Sequence, residues 1–159
     1  MPRLIPLDGS QGEGGGQILR TALSLAAATG QGFELTKIRA RRPRPGLRPQ
    51  HVAAVRAAGI ACGARLSGAF EGSPDLRFEP GPPRGGQFRF EIETAGAAAL
   101  VLQTVLPLLA LAEDGSGVEV TGGTHVPQSP SADFLGRHWA AAVARVELRL
   151  GVTLRRAGF

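Results

Sequence analysis

The sequence predicts an α+β protein built from tandem copies of one unit, two helices packed on a four-stranded sheet. Three observations carry that expectation. The chain matches itself at an offset of 85 positions, its apolar pattern switches between periods of 2 and 3.6, and glycine–proline clusters separate the patterned runs. At that offset GQGFELT (30–36) lies over GSGVEVT (115–121), ILRTALSLAAA (18–28) over QTVLPLLALAE (103–113), and LIPLDG (4–9) over RFEIET (89–94). GARL (63–66) resembles GVTL (151–154) at an offset of 88, which implies a small loop difference. The units are taken as 1–85 and 86–159.

In the first unit LIPL is a short strand and 17–28 an apolar helix. Gly30 suits the left-handed residue just past its end. FELTKIRA (33–40) alternates as a strand. Residues 50–59 form a second helix with Val52, Val55 and Ala58 on one face, and 62–66 a further strand. LRFEPG (76–81) and QFRFEIE (87–93) read as an antiparallel pair joined by the turn-prone GPPRGG. The second unit repeats the scheme, with helices at about 97–112 and 131–150. The first helix of each unit is apolar nearly all round, so it belongs between layers.

Composition narrows the function classes. With 43% hydrophobic and 19% charged residues the chain is globular, and its formal net charge is +5. Of 18 basic residues only one, Lys37, is a lysine. Arginine presents a flat fork of donors that matches phosphate and carboxylate two bonds at a time. A GC-rich coding sequence would give the same overall bias, but it does not explain the bunching of arginines at 39–48. Cys62 stands alone in the apolar IACGARL, which excludes a disulfide framework and reads as a core thiol. The apolar run 100–112 is too short to span a bilayer and is interrupted by Gln103 and Pro107. A cytoplasmic, membrane-free protein follows as the expectation. With no tyrosine and a single tryptophan, Trp139, platforms for base stacking are scarce.

Four motifs bear chemistry. In DGSQGEGGGQ (8–17) the glycines, Gly14 and Gly15 among them, let backbone N–H groups approach an anion at a helix start. Glu13 would repel that anion unless a divalent cation sat between carboxylate and phosphate. A flexible turn with capping carboxylates is the plainer alternative. The motif is neither a Walker loop nor a dinucleotide fingerprint. In RARRPRPGLRPQH (39–51) five arginines repel one another unless an anion is shared, and the prolines hold the segment stiff. A solvated basic loop is the competing reading. His51 suits either a phosphate hydrogen bond or a satisfied structural role. Gln103, in an apolar helix, is a local hydrogen-bonding post or a ligand contact. In GGTHVPQSPSADF (122–134) Ser131 caps the following helix with Asp133 in its first turn, and His125 lacks metal-ligand spacing.

Together these segments resemble the RNA 3′-terminal phosphate cyclases. LDGSQGEGGGQILRTALSL, IRARRPRPGLRPQH, LVLQTVLPLL and the GGT…P..ADF segment carry the likeness, which runs from Leu7 almost to Phe159. The resemblance implies three such units with a small inserted domain, an architecture shared with the enolpyruvate transferases; two units are expected here. It implies a ligase-type reaction in RNA processing. ATP adenylylates an enzyme histidine, AMP passes to an RNA 3′-phosphate, and the 2′-OH closes a 2′,3′-cyclic phosphate. By position, Glu13 resembles the carboxylate that holds Mg²⁺ or Mn²⁺. Arg20, Arg39, Arg42, Gln50 and His51 resemble the phosphate and active-site cluster. Gly14, Gly15, Gln103, Pro130 and Asp133 resemble nucleotide-binding residues.

The family's nucleophilic histidine lies further on than Phe159, and His51, His125 and His138 do not occupy its motif. The chain is therefore expected to be a fragment, a truncated gene product or one piece of a larger assembly, inactive alone, that self-associates through the face a third unit would cover. Two other classes compete: a non-catalytic cyclase-like RNA-binding protein of ribosome assembly, and an enol-transfer enzyme on similar repeats. Retention of Glu13 with the Arg39–Gln50–His51 set favours the cyclase over the first. The enol-transfer reading predicts no preference for RNA ending in a phosphate.

Overall fold

The computed structural model describes residues 3–92, 94–148 and 150–158. Strand β1 (Ile5–Asp8) leads through the glycine bend into helix α1 (Gln17–Thr29), and β2 (Phe33–Thr36) returns parallel to β1. The same strand–helix–strand arrangement recurs in β5 (Gly86–Glu91), α3 (Ala98–Ala110) and β6 (Ser116–Thr121), where β5 and β6 are also parallel. Between them lie α2 (Pro49–Cys62), β3 (Arg65–Ser67) and β4 (Leu76–Glu79). After β6 come α4 (Ala132–Phe134), a π-helical turn (Leu135–Trp139) and α5 (Ala140–Ala144).

One expectation fails outright. β4 and β5 are not an antiparallel pair. The first sheet runs β1-β2-β4-β3, so β4 is bonded antiparallel to β2 on one edge and to β3 on the other. No ladder edge is left for β5, which takes β6 in a separate two-stranded sheet. GPPRGG is correspondingly a connector, held where the Arg84 N–H donates to the Ala61 carbonyl (2.8 Å). The expected four-stranded second sheet also departs from what is seen. Among the described residues it has two strands, and GVTL (151–154) forms no strand.

Boundaries shift for local reasons. Cys62 closes α2 instead of opening a strand, because Gly63 takes the left-handed C-cap that ends the helix (φ 58°). Pro49 starts α2 at the first turn, where its missing N–H is harmless. FELTKIRA is extended only to Thr36; Lys37 and Arg39 have φ of 53° and 54° and turn the chain. The last helix ends at Ala144, with one π turn inside it, short of the expected 150. Glu93 and Arg149, in the expected strand 87–93 and helix 131–150, lie outside the described residues. Gly30 is left-handed as expected (φ 72°), and Cys62 is fully buried.

The main apolar cluster of the described residues draws on both halves. Leu19, Leu23, Ala26 and Ala27 recur at helical spacing on α1, and α2 turns its alanines 54, 57, 58 and 61 to the interior. Val101, Val105 and Leu108 of α3 complete the same cluster, so α3 lies between the first two helices and the second sheet. This is the sandwiched position its apolar surface demands. α1 meets that expectation less fully, since Leu25 remains 58% exposed. Across the first sheet Phe33 and Phe78 stack with ring centroids 5.6 Å apart. Among the described residues no helix is long and apolar enough to cross a membrane.

Candidate active site

The bend after β1 is fixed at both ends. The Asp8 carboxylate accepts from the Ser10 hydroxyl (2.6 Å) and amide (2.9 Å) and pairs with Lys37 (2.9 Å). The Ser10 bond, then Lys37, holds its carboxyl well below the usual range. Asp8 is therefore spent on shaping the bend. Gly14 adopts φ 57°, and Gly16 stands at the start of α1, which has no side-chain cap and no acid in its first turn. The first N–H groups of that helix and its dipole thus favour an anion.

The arginine segment folds onto this bend. Arg42 Nη2 lies 3.7 Å from Glu13 Oε2, and a Cβ on Gly15 would stand 3.3 Å from the same Nη2. A Cβ on Gly16 would collide with His51 Nε2 and stand 2.8 Å from Arg20 Nη1, so only glycine lets these side chains so close to the backbone. Arg39 Nη1 donates to the carbonyls of Arg44 (2.5 Å) and Gly46 (3.2 Å), which orders the loop around its own guanidinium. Burial lowers the pKa of Arg20 and of Arg39, and for Arg39 the charges of Arg48 and Arg42 add to it.

His51 is the buried centre of the cluster. Its Nδ1 accepts the Arg48 amide proton (3.0 Å), and its own amide donates to the Arg48 carbonyl (2.8 Å), closing the first turn of α2. With Nδ1 engaged as acceptor, the neutral ring carries its proton on Nε2, the atom beside Gly16. Burial, then the charges of Arg39, Arg20 and Arg48, pushes its pKa down to about 4. Of the two roles open in the sequence, the structural one is seen at Nδ1, while Nε2 lies beside Gly16 at the start of α1.

The structure therefore brings together Glu13, Gly15, Arg20, Arg39, Arg42 and His51, with Gly14 in the same bend. Gln50 goes elsewhere: its Oε1 accepts the Ala97 amide (3.3 Å) at the start of α3. Gln103 is half-buried on α3. Asp133, in the first turn after the helix cap Ser131, accepts from or pairs with His125 Nε2 (2.9 Å), and that hydrogen bond lowers its pKa. Ser131 Oγ accepts the Phe134 amide (3.2 Å), the cap expected. Arg48 and Gly16 stand against His51 in this cluster, positions not singled out within the motifs. The signal for both was present: Arg48 precedes a proline at a helix start, and Gly16 ends the glycine run.

A lone exposed carboxylate is suited to Mg²⁺ or Mn²⁺ only if phosphates and water complete the shell. Glu13 is 94% exposed at the rim of the guanidiniums, and no group of three or more His, Cys, Asp or Glu gathers among the described residues. The donor set fits a phosphate-shared cation and not an all-protein cage.

The family model described as RNA 3′-terminal phosphate cyclase matches residues 11–159. The chain belongs to that family. Relatives named RNA 3′-terminal phosphate cyclase from Salmonella enteritidis, Salmonella gallinarum and Salmonella typhimurium are 57% identical over 159 residues, all of this chain and 47% of each relative. The chain spans about half the length of the curated cyclases it matches.

Proposed function

We propose that this chain supplies the phosphate-handling part of an ATP-dependent RNA 3′-phosphate cyclase, which turns a 3′-phosphate end into a 2′,3′-cyclic phosphate. The observation that carries this reading is the convergence of Glu13, Arg20, Arg39 and Arg42 with the neutral His51 on one glycine bend. Crowded phosphates must be held against their own repulsion while charge develops at the reacting phosphorus. Preorganised guanidiniums and an N–H donor in a partly dry site do this at no further ordering cost. Arg20 and Arg42 clamp phosphate oxygens, Arg39 stiffens the clamp, and His51 donates through Nε2. ATP would supply the adenylyl group, and Glu13 would hold Mg²⁺ or Mn²⁺, which would supply charge neutralisation for the phosphates. Gly14, Gly15, Gln103, Pro130 and Asp133 are assigned to nucleotide binding, and Gln50 to positioning the start of α3. The division into repeat units 1–85 and 86–159 and a self-associating surface belong to the same proposal.

None of the three histidines is presented as a nucleophile. The Nδ1 lone pair of His51 is occupied, His125 is engaged with Asp133, and His138 packs on Phe134 with centroids 5.8 Å apart. Incubation with labelled ATP and Mn²⁺ should leave no covalent band on a denaturing gel. Fluorescence anisotropy with matched oligoribonucleotides tests the main claim. The 3′-phosphate strand should bind tighter than the 3′-hydroxyl strand, and Mn²⁺ should widen the gap except in Glu13→Ala. Equal affinity for the two ends would sink the cyclase reading. A Glu13→Ala chain that behaves as the parent would favour a non-catalytic RNA-binding relative.

A further inference from the structure

The five arginines of residues 39–48 divide into two sets. Arg39 is bonded to the Arg44 and Gly46 carbonyls, Arg42 stands by Glu13, and Arg48 Nη1 pairs with Glu71 Oε1 at 2.9 Å. Arg41 and Arg44 are exposed, and among the described residues neither guanidinium has an ion pair or hydrogen bond. Five like charges in ten residues repel; compensation reaches three and leaves these two.

The segment that carries them is rigid. Ala40 N donates to the Lys37 carbonyl (3.1 Å), Arg42 N to Arg39 (2.9 Å), Gly46 N to Ile38 (2.8 Å) and Leu47 N to Ser73 (3.0 Å). Pro43 and Pro45 fix two further φ angles. Only the side chains remain to be ordered when a ligand arrives. Arg41 is also continuous with the pocket, since its Cβ lies 3.9 Å from where a Cβ on Gly14 would be. Residues 39–48 contain no aromatic ring, so this rim grips charge and not base faces.

We propose that Arg41 and Arg44 form a second site, a track for the phosphodiester backbone of single-stranded RNA leading away from its 3′ end. The inference rests on the cyclase reading for the identity of the strand. It assigns the inner set to the terminal phosphate and the outer pair to internal phosphates, which position the strand without reading its sequence.

The test measures salt-dependent binding of a long oligouridylate ending in a 3′-phosphate and of uridine 3′-monophosphate, which has no internal phosphate. In Arg41→Ala/Arg44→Ala the slope of log affinity against log salt for the long strand should become shallower by about 1.4, or about 0.7 per arginine. Monophosphate affinity should stay unchanged, and Arg41→Lys/Arg44→Lys should restore the slope. An unchanged slope overturns the proposal. So does an equal loss for long strand and monophosphate, which would place the pair in the end pocket. If the parent chain shows no preference for a 3′-phosphate, the cyclase reading fails, while the slope on 3′-hydroxyl RNA still decides the track.

Discussion

Two loops hold matching places in the two halves, each leaving a second parallel strand and entering a helix. Residues 37–48 follow β2, and 122–131 follow β6. Both contain non-glycine residues with positive φ, Lys37 and Arg39 in the first and Gln128 in the second. Both are pinned by backbone bonds, the second through Thr124 and Gly158 (Thr124 N to the Gly158 carbonyl, 2.9 Å). Their chemistry differs completely. The first carries five arginines over a glycine bend; the second carries His125 paired with Asp133. Matching places in the chain order thus do not give matching chemistry, which is carried by the side chains and not by the position of the loop.

The strongest way to break that contrast is pH. His51 is buried neutral, with a folded pKa of about 4 against 6.5 for the free side chain. Between those values the unfolded chain binds a proton that the folded chain does not. The contribution of His51 should therefore fall as pH drops from 6.5 towards 4, by on the order of 3 kcal/mol, while the lowered Asp8 and Asp133 carboxyls carry the loss of stability on to lower pH. Chemical denaturation at several pH values measures this, and His51→Gln should flatten the curve. A parent curve already flat over that range would mean the histidine is not buried as described.

Gly16→Ala comes next. Its methyl would displace His51 and Arg20, and affinity for 3′-phosphate RNA should fall about 100-fold. In the second loop Gly122→Ala, whose Cβ would stand 2.8 Å from the Gly96 carbonyl, should lower the melting temperature and leave RNA affinity per folded molecule intact. If the two variants lose RNA affinity alike, the loops are not distinct in function. Arg42→Ala should weaken the same binding about tenfold, as expected for one charge-assisted contact. Smallest is Ser131→Ala, which removes a cap from the second loop. It should cost about 1 kcal/mol of stability with no change in RNA affinity.

Much of this was legible in the sequence because it rests on local chemistry. Glycine spacing and arginine bunching pointed to the bend and the loop that bring Glu13 and Arg42 within 3.7 Å, and helical periodicity found α1 and α3. What escaped depends on partners far along the chain. Alternation marks LRFE as a strand but says nothing of which edges it uses, and β4 uses both. Gln50 sits between Pro49 and His51, yet its amide serves a residue 47 positions away. The π turn at Leu135–Trp139 shifts a helical face by one residue, a change that composition does not announce.

The placement of α3 has a consequence for how the chain comes apart. Because Val101, Val105 and Leu108 share one interior with Leu19, Leu23 and the alanines of α2, neither half can melt without stripping the other. The shared interior predicts a single cooperative unfolding transition, and a backbone cut in the proline–glycine connector should leave the two pieces held together by that interior.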